Sequence, residues 1–328
     1  WIESYLKQRS QIVQLGNHYS NPIIVTSGVP QGSHLGPVLF SLFVNDLACL
    51  LDDCLLFADD LKIFGRISSI NDCHLLQNKL EIISSWCVNN SMGVNTDKCK
   101  VITFTRRSNC IVFPYTLNNV TLERVSEIND LGVILDSELR FASHFDFVLN
   151  KSFRTCGFIK RQSIDFWDIS CLHKLFVTLV RPILEYCFVI WFPFYKTHVD
   201  RLERVQRKFV NYLLFKMGIN KDNYSYDQRL VLVNLELLES RKQKAEIRLG
   251  YKLFQNCIDC PGLVMLFDIR VPRLGSRCSE TFIPRFHRTN FTFHAPMDNI
   301  VRSINKISNN LDFFNVTLSS LNTYLKNL

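Results

Sequence analysis

Two short apolar runs flank a pair of adjacent carboxylates close to residue 60. The runs, residues 55–58 and 61–64, have the length and bulk of β-strands, and a two-residue connection between such runs is typical of a β-hairpin. Two-residue hairpin turns normally contain glycine or Asn-Gly, because their backbone needs positive φ angles. Asp59 and Asp60 at the predicted turn therefore break a local rule, and departures of this kind concentrate at functional sites.

The hydrophobic spacing predicts an α+β first part and a mostly helical remainder. Gly36 and Pro37 open a predicted helix, where the missing N–H of proline costs nothing. Apolar residues at helical spacing predict a second helix over 71–89. Beyond residue 140 helices dominate as far as about residue 254, and a tail containing proline and asparagine follows. Strands are predicted at 11–15, 22–26, 101–105 and 131–135.

Composition narrows the class of protein. The 328 residues are 47% hydrophobic and 12% aromatic, so the chain can bury a substantial core. Its net charge of +8 favours a nucleic acid or another anionic surface as partner. The 12 cysteines lie mostly within apolar runs and no signal peptide precedes them, which predicts reduced thiols in a nuclear or cytoplasmic protein that is not secreted. The most apolar stretch, residues 175–195, contains Arg181, Glu185 and two prolines, which argues against a membrane span.

The adjacent carboxylates are the strongest candidate for chemistry. Two carboxylates at a hairpin turn form a hard-oxygen site suited to Mg²⁺ or Mn²⁺. Successive residues of a strand face opposite sides, so only one of two neighbours can aim fully into one site. We predict that Asp59 is the main metal ligand and Asp60 the accessory one. The alternative is a solvated acidic turn.

A glycine-rich loop precedes these carboxylates. Its sequence, residues 27–37, is Ser-Gly-Val-Pro-Gln-Gly-Ser-His-Leu-Gly-Pro. This loop and Phe57-Ala58-Asp59-Asp60 resemble motifs B and C of reverse transcriptases from non-LTR (LINE-like, jockey-type) retrotransposons. The pair is specific because both motifs occur in the family's order at short spacing. The resemblance extends to about residue 220 and is faint beyond it.

The resemblance implies a fold and an activity. The fold would be α+β: a partial polymerase palm, an antiparallel sheet with packed helices, over residues 1–139. A mostly helical thumb and post-thumb region would follow at 140–220, and 221–328 would form a C-terminal helical region of unknown role. The activity would be RNA-directed DNA polymerisation, with an RNA template, a DNA primer and deoxynucleoside triphosphates as partners and no membrane.

Motifs B and D carry further roles by resemblance. Motif B lies beside the incoming nucleotide and the template, which assigns this position to Gln31 and Gly32, with Gly28 and Pro30 in the same loop. Residues 95–104 resemble motif D. Within it, Lys98 matches the lysine that approaches the triphosphate and helps to protonate the leaving pyrophosphate.

Motif E and a basic run supply candidate contacts with the nucleic-acid strands. Residues 131–136 resemble motif E, so Leu131, Gly132 and Val133 would form the primer grip. The downstream segment 151–161 contains four cations among its eleven residues and no acidic residue. Such a segment suits a helix that follows a phosphate backbone. The alternative is a solvated helix face. The four cations are Lys151, Arg154, Lys160 and Arg161.

The implied metal site is incomplete within these residues. Nucleotidyl transfer in the family uses two divalent ions, Mg²⁺ or Mn²⁺, and a third carboxylate that belongs to motif A. Motif A and the fingers precede the segment that matches Trp1. We therefore expect an N-terminally truncated fragment whose polymerase site cannot close alone.

Two alternative functions remain open at this point. The first is a catalytically dead retroelement remnant that at most binds nucleic acid. The second is a group II intron-type enzyme with a maturase role. The motif E sequence and the Arg-Pro-Ile-Leu-Glu-Tyr segment at 181–186 favour the LINE-like family over it. Separately, Cys257 and Cys260 have the spacing of zinc ligands, and Cys278 and His287 follow, but no second close pair completes a standard four-ligand site.

Overall fold

The computed structural model describes residues 1–107, 109–271 and 280–328. The chain forms two compact units, Trp1–Ile128 and Asn129–Leu328, here called unit 1 and unit 2. In the described part of the chain, no helix is both long and apolar enough to cross a membrane.

Unit 1 combines helices with short strands. Its described helices are α1 (Ile2–Leu6), α2 (Gly36–Cys49) and α3 (Ile70–Asn89). Its strands are β1 (Arg9–Gln11), β2 (Gln14–Leu15), β3 (His18–Tyr19), β4 (Ile23–Val25), β5 (Cys54–Phe57), β6 (Asp60–Ile63), β7 (Lys100–Ile102), β8 (Thr116–Leu117), β9 (Val120–Thr121) and β10 (Glu123–Val125).

The strands of the described residues pair two by two rather than in one continuous sheet. The pairs β1–β4, β2–β3, β5–β6 and β8–β9 are antiparallel, and β7–β10 is parallel. The expectation of one antiparallel sheet is therefore met only in its small hairpins, because these strands are two to four residues long. The fold of unit 1 is a mixed α/β arrangement of small sheets and helices.

The core of unit 1 lies between α2, α3 and one face of the β5–β6 hairpin. Val44 and Leu47 of α2 pack with Ile83 and Trp86 of α3. A capping box between Ser69 and Asp72 fixes the start of α3. Both helix predictions, one that begins at Gly36 and Pro37 and one over 71–89, are confirmed. In each helix the apolar spacing agrees with the signals at its start.

Unit 2 begins with two strands, β11 (Glu127–Asp130) and β12 (Val133–Asp136), and is almost entirely helical after them. The last two residues of β11 belong to unit 2, and the first two belong to unit 1. A π-helical turn at Phe176–Val180 and a 3₁₀ turn at Lys221–Asn223 interrupt the α-helices. The helices are α4 (Ala142–Gln162), α5 (Ile169–Leu175), α6 (Arg181–Glu185), α7 (Phe188–Trp191), α8 (Lys196–Lys216), α9 (Tyr226–Leu232), α10 (Leu238–Phe254), α11 (Pro261–Val264), α12 (Asn290–Phe293), α13 (Pro296–Asn305) and α14 (Leu318–Lys326).

Two apolar clusters stabilise unit 2. The first is centred on α4 to α8, where the fully buried rings of Phe176 and Phe209 stack with centroids 4.7 Å apart. The second joins α10, α13 and α14 through Ile247, Ile300 and Leu321, each fully buried. Helix spacing in the sequence correctly predicted helices as far as Phe254.

Candidate functional site

The carboxylate pair lies on the β5–β6 hairpin, one residue away from its predicted position. β5 ends at Phe57 and β6 begins at Asp60, and these two residues pair directly. The two-residue turn is therefore Ala58-Asp59, not Asp59-Asp60. Ala58 has a φ of 52°, in the left-handed region that alanine rarely adopts. The backbone strain predicted at this turn is present, but Ala58 carries it.

The two faces of this hairpin differ sharply. Leu56 and Leu61 oppose each other on the face that packs against the core of unit 1. On the other face Leu55 and Phe57 are 60% and 63% exposed. Asp60 pairs with Phe57 and so shares this open face.

Both carboxylates are available to a ligand. Asp59 and Asp60 are exposed, and among the described residues neither accepts a hydrogen bond nor forms an ion pair. The described residues also contain no group of three or more His, Cys, Asp or Glu side chains that could hold a metal ion. Cys278, named above for a zinc site, lies outside the described residues.

The glycine-rich loop is held by hydrogen bonds at both ends. Arg9 donates to the carbonyl of Gly28 at 2.5 Å and to that of Leu6 at 2.8 Å, which joins the start of the loop to α1 and β1. At the other end the Ser33 hydroxyl donates to the Pro30 carbonyl and accepts from the N–H of Gly36, both at 2.9 Å.

Backbone conformation explains two glycines of this loop, and close packing explains the third. Gly28 and Gly32 have φ angles of 79° and 77°, where a side chain would be strained. At Gly36 a Cβ would lie 2.9 Å from the Pro30 carbonyl oxygen and 3.0 Å from the Ser33 hydroxyl. Between these points Gln31 is exposed, so its amide is open to a ligand.

Lys98 lies in an Asx turn that precedes β7. The Asn95 side chain accepts from the N–H groups of Asp97 and Lys98 at 3.1 and 3.3 Å, which fixes the backbone. The Lys98 side chain is exposed and, among the described residues, has no hydrogen-bonded or ionic partner. It is therefore free to move toward an anion.

The candidate primer grip is a tight turn between β11 and β12. Leu131 and Gly132 have φ angles of 46° and 86°, the positive values that a two-residue turn of type I′ needs at both positions. The Tyr186 hydroxyl donates to the Leu131 carbonyl at 2.7 Å. Val133 is 6% exposed, so only the backbone of this residue can face a ligand.

A buried histidine fixes the strand that follows this turn. The N–H of Ile134 donates to Nδ1 of His144 at 3.2 Å, and the imidazole packs edge-on against Trp191. Nδ1 must then be unprotonated, and burial lowers the pKa of His144 accordingly. Trp191 in turn donates to the Tyr186 carbonyl at 2.7 Å, so these contacts form one connected support.

The four basic residues of α4 divide into two groups. Lys151, Arg154 and Arg161 are exposed and lie on one helix face. Lys160 is half-buried, donates to the Lys208 carbonyl at 2.9 Å and lies over the Tyr212 ring. Burial lowers its pKa. Lys160 is thus engaged within unit 2, and the other three cations face solvent.

The supporting residues Arg9, Tyr186 and His144 were not predicted to contribute to the site. Tyr186 lies in the segment 181–186 that resembles the family, but its hydrogen bond spans 55 residues of sequence and no local pattern reveals it. Arg9 and His144 give no sequence signal beyond their residue types.

Comparisons with known proteins agree with the motif order. The family model of reverse transcriptase (RNA-dependent DNA polymerase) matches residues 1–135. The chain is 29% identical over 222 residues to the probable RNA-directed DNA polymerase from transposon BS of Drosophila melanogaster. It is 26% identical over 225 residues to the RNA-directed DNA polymerase from mobile element jockey of the same species.

Each of these two alignments covers 63% of this chain and 24% of the relative. The chain is also 26% identical over 182 residues to the retrovirus-related Pol polyprotein from type-1 retrotransposable element R1 of Bradysia coprophila, which covers 51% of this chain and 18% of that protein. The chain thus spans about a quarter or less of the length of these relatives. No solved structure matches it.

Proposed function

We propose that this chain, whose residues 1–135 belong to the reverse transcriptase family, supplies part of the palm of an RNA-directed DNA polymerase of non-LTR retrotransposon type. The observation that carries the proposal is the pair of exposed, unpartnered carboxylates on the β5–β6 hairpin. Asp59 lies in the turn and Asp60 at the first position of β6.

The donor set fits a divalent metal in part. Asp59 and Asp60 offer hard oxygen ligands of the kind that Mg²⁺ and Mn²⁺ prefer, and no protein group competes for them among the described residues. Such ions, when bound, neutralise charge on a transferring phosphoryl group. We assign Asp59 as the main ligand and Asp60 as the accessory one. A further carboxylate, from a motif A segment, would complete the set.

The other motif residues would position the substrates. Gln31 and Gly32 lie exposed in a loop that Arg9 and Ser33 hold, which suits an approach to the incoming nucleotide or the template. Lys98, with its side chain free, would donate a proton to the departing pyrophosphate. The Leu131-Gly132 turn would offer backbone groups to the primer strand.

The exposed cations of α4 would contact nucleic-acid phosphates. Lys151, Arg154 and Arg161 carry charge on a solvent face, and such contacts position a duplex without reading its sequence. Lys160 is excluded from this role here because it packs against α8.

A polypeptide of these 328 residues alone should not extend a primer, because its described residues hold no third carboxylate near the pair. The measurement is deoxynucleotide incorporation on a primed RNA template with Mg²⁺ or Mn²⁺. Incorporation above a no-enzyme control would contradict this expectation. The same observation favours the second candidate, a remnant that binds nucleic acid without catalysis, and an upstream reading frame with motif A would separate the two.

The carboxylates are tested in a polypeptide that also contains motif A. Asp59→Asn removes a charge and keeps the shape, so it should abolish primer extension and leave template binding within about twofold. Asp60→Asn should slow extension and leave residual activity. Asp52→Asn, an equal charge change at an exposed position before β5, is the matched control. Near-normal extension by the Asp59 variant would remove the hairpin as the metal site.

A further inference from the structure

Helices α4 and α8 lie side by side in the same direction. Near their starts Asp146 pairs with Arg201 at 3.0 Å, and further along Lys208 lies over the Phe153 ring at 4.8 Å. Toward their ends the Ser163 and Tyr212 hydroxyl groups are 2.8 Å apart. The two helices therefore pack in parallel along their length through these residues.

The exposed face of α8 is strongly basic. Its buried face carries Leu202, Val205 and Phe209, each with no exposed surface, and this fixes which residues face solvent. The exposed cations beyond the first turn of α8 are Arg201, Arg204, Arg207 and Lys208, and Lys196 is exposed at its start.

These cations are supported but largely not neutralised. Arg207 lies 4.5 Å from the Tyr226 ring centroid and Lys208 lies over the Phe153 ring, so aromatic faces rather than carboxylates hold both. Among the described residues, no carboxylate oxygen lies within 4 Å of the charged atoms of Arg204, Arg207 or Lys208. Arg201 is the member of the set that is already paired.

The same residues line a groove. A shallow cavity of about 360 Å³ is bordered by Arg201, Arg204, Arg207 and Lys208, together with Asp200 and Asn211. Asn211 is held in place by Arg229, which donates to its side-chain oxygen at 3.2 Å. The groove therefore combines three unneutralised cations with one acid and one oriented amide.

We propose that this face of α8, defined as Arg204, Arg207 and Lys208, binds a sugar-phosphate backbone separately from the cations of α4. From Arg204 to Lys208 a helix rises about 6 Å, and side chains of this length extend the reach on both sides. A nucleic-acid strand carries one phosphate per about 3.4 Å of helix axis, so two to three phosphates span the set. Three unneutralised cations match that number.

A polyanionic strand fits this face better than an acidic protein surface. Arginine forms paired hydrogen bonds with phosphate, and a set of cations along one helix face follows a linear array of charges. The inference rests on the proposed nucleic-acid function and extends it to a second, separately testable surface.

The test compares three triple variants of the full chain by fluorescence anisotropy. The α8 variant is Arg204→Gln with Arg207→Gln and Lys208→Gln. The α4 variant is Lys151→Gln with Arg154→Gln and Arg161→Gln. The control has the same loss of charge at exposed lysines elsewhere in unit 2, Lys221→Gln with Lys252→Gln and Lys326→Gln. Circular dichroism verifies that all three fold.

The probes are an RNA strand and a DNA strand of one sequence, each alone and as a duplex, and polyglutamate as an acidic competitor. We expect the α8 variant to bind RNA or DNA at least tenfold more weakly than the control variant. Binding by the α8 variant should also depend less on salt. The slope of log affinity against log salt should become shallower by about 2, as expected for the loss of two to three phosphate contacts.

Two results would overturn the proposal. One is equal binding by the α8 and control variants, and the other is polyglutamate competition as strong as that of RNA, which would indicate a protein partner. If the α4 variant alone loses affinity, this inference fails and the proposed contact of α4 stands. If neither helix variant loses affinity, the nucleic-acid function of both surfaces fails.

Discussion

Replacing Gly250 or Gly157 of unit 2 by alanine should change stability in opposite directions. Both are helix-interior glycines, in α10 and α4 respectively. At Gly250 an added Cβ would lie 2.6 Å from Cδ1 of Ile304 and 2.8 Å from Cγ2 of Ile300, two fully buried side chains of α13. At Gly157 the nearest atom is the end of the flexible Arg161 side chain, at 3.4 Å.

The expected free-energy changes have opposite signs. Replacing a helix-interior glycine by alanine gains about 1 kcal/mol from backbone conformation. Overpacking a buried contact costs about 1–3 kcal/mol. We therefore expect Gly157→Ala to stabilise the chain by up to about 1 kcal/mol. Gly250→Ala should destabilise it by up to about 2 kcal/mol, because Ile300 Cγ2 is attached close to the backbone and cannot move away.

Urea denaturation followed by circular dichroism measures both variants against the wild type. The companion variant Ile304→Val removes the Cδ1 atom, and in the double variant with Gly250→Ala the two costs should fall short of their sum by about 1 kcal/mol. Stabilisation by Gly250→Ala equal to that by Gly157→Ala, or strict additivity in the double variant, would refute the close approach of α10 and α13.

Two further predictions concern the candidate site. Gly36→Ala should displace the Ser33 hydroxyl from the Pro30 carbonyl and open the start of α2, so hydrogen exchange of residues 33–41 should speed up about 5–30-fold, whereas Gly65→Ala, with open space around it, should change nothing there. Equal exchange in both variants would contradict the tight packing at Gly36. Burial lowers the pKa of His144 below its ordinary value of 6.5, so the native state favours the neutral form. Its contribution to stability is complete above pH 6.5 and is lost as the pH falls through the folded pKa, so the wild type should lose stability on acidification more steeply than His144→Asn, in urea denaturation at several pH values. Parallel pH profiles for the two proteins would show that His144 is not buried in its neutral form.

The β5–β6 hairpin shows how far the apolar pattern leads. Leu56, Leu61 and Ile63 face the core in the observed pairing, and they would also do so if the turn were at Asp59-Asp60. The two pairings differ in whether Cys54 or Ala58 joins that face. The alternation therefore predicts the hairpin and its buried face but cannot decide where its turn lies.

Some supports of the site could not be predicted because they connect distant parts of the chain. The motif residues Gln31, Lys98 and Leu131 follow from family resemblance, which is a local pattern. The contacts that hold them, such as Arg9 with Gly28 and Tyr186 with Leu131, join residues 19 and 55 positions apart. The basic run without acidic residues likewise placed Lys160 among the cations that contact phosphate, whereas packing between α4 and α8 engages it.

The contacts of the Leu131-Gly132 turn also have a consequence for the modular use of this sequence. The family match ends at residue 135, within β12, yet Tyr186 and His144 beyond that limit hold the turn and the strand. A polypeptide cut at the end of the match would keep these motifs except for Asp136 and would lose both supports. Transplanting the polymerase motifs into another scaffold would therefore require the segment through Trp191 to travel with them. In evolutionary terms, we expect Tyr186, His144 and Trp191 to be exchanged together with the turn and strand that they hold.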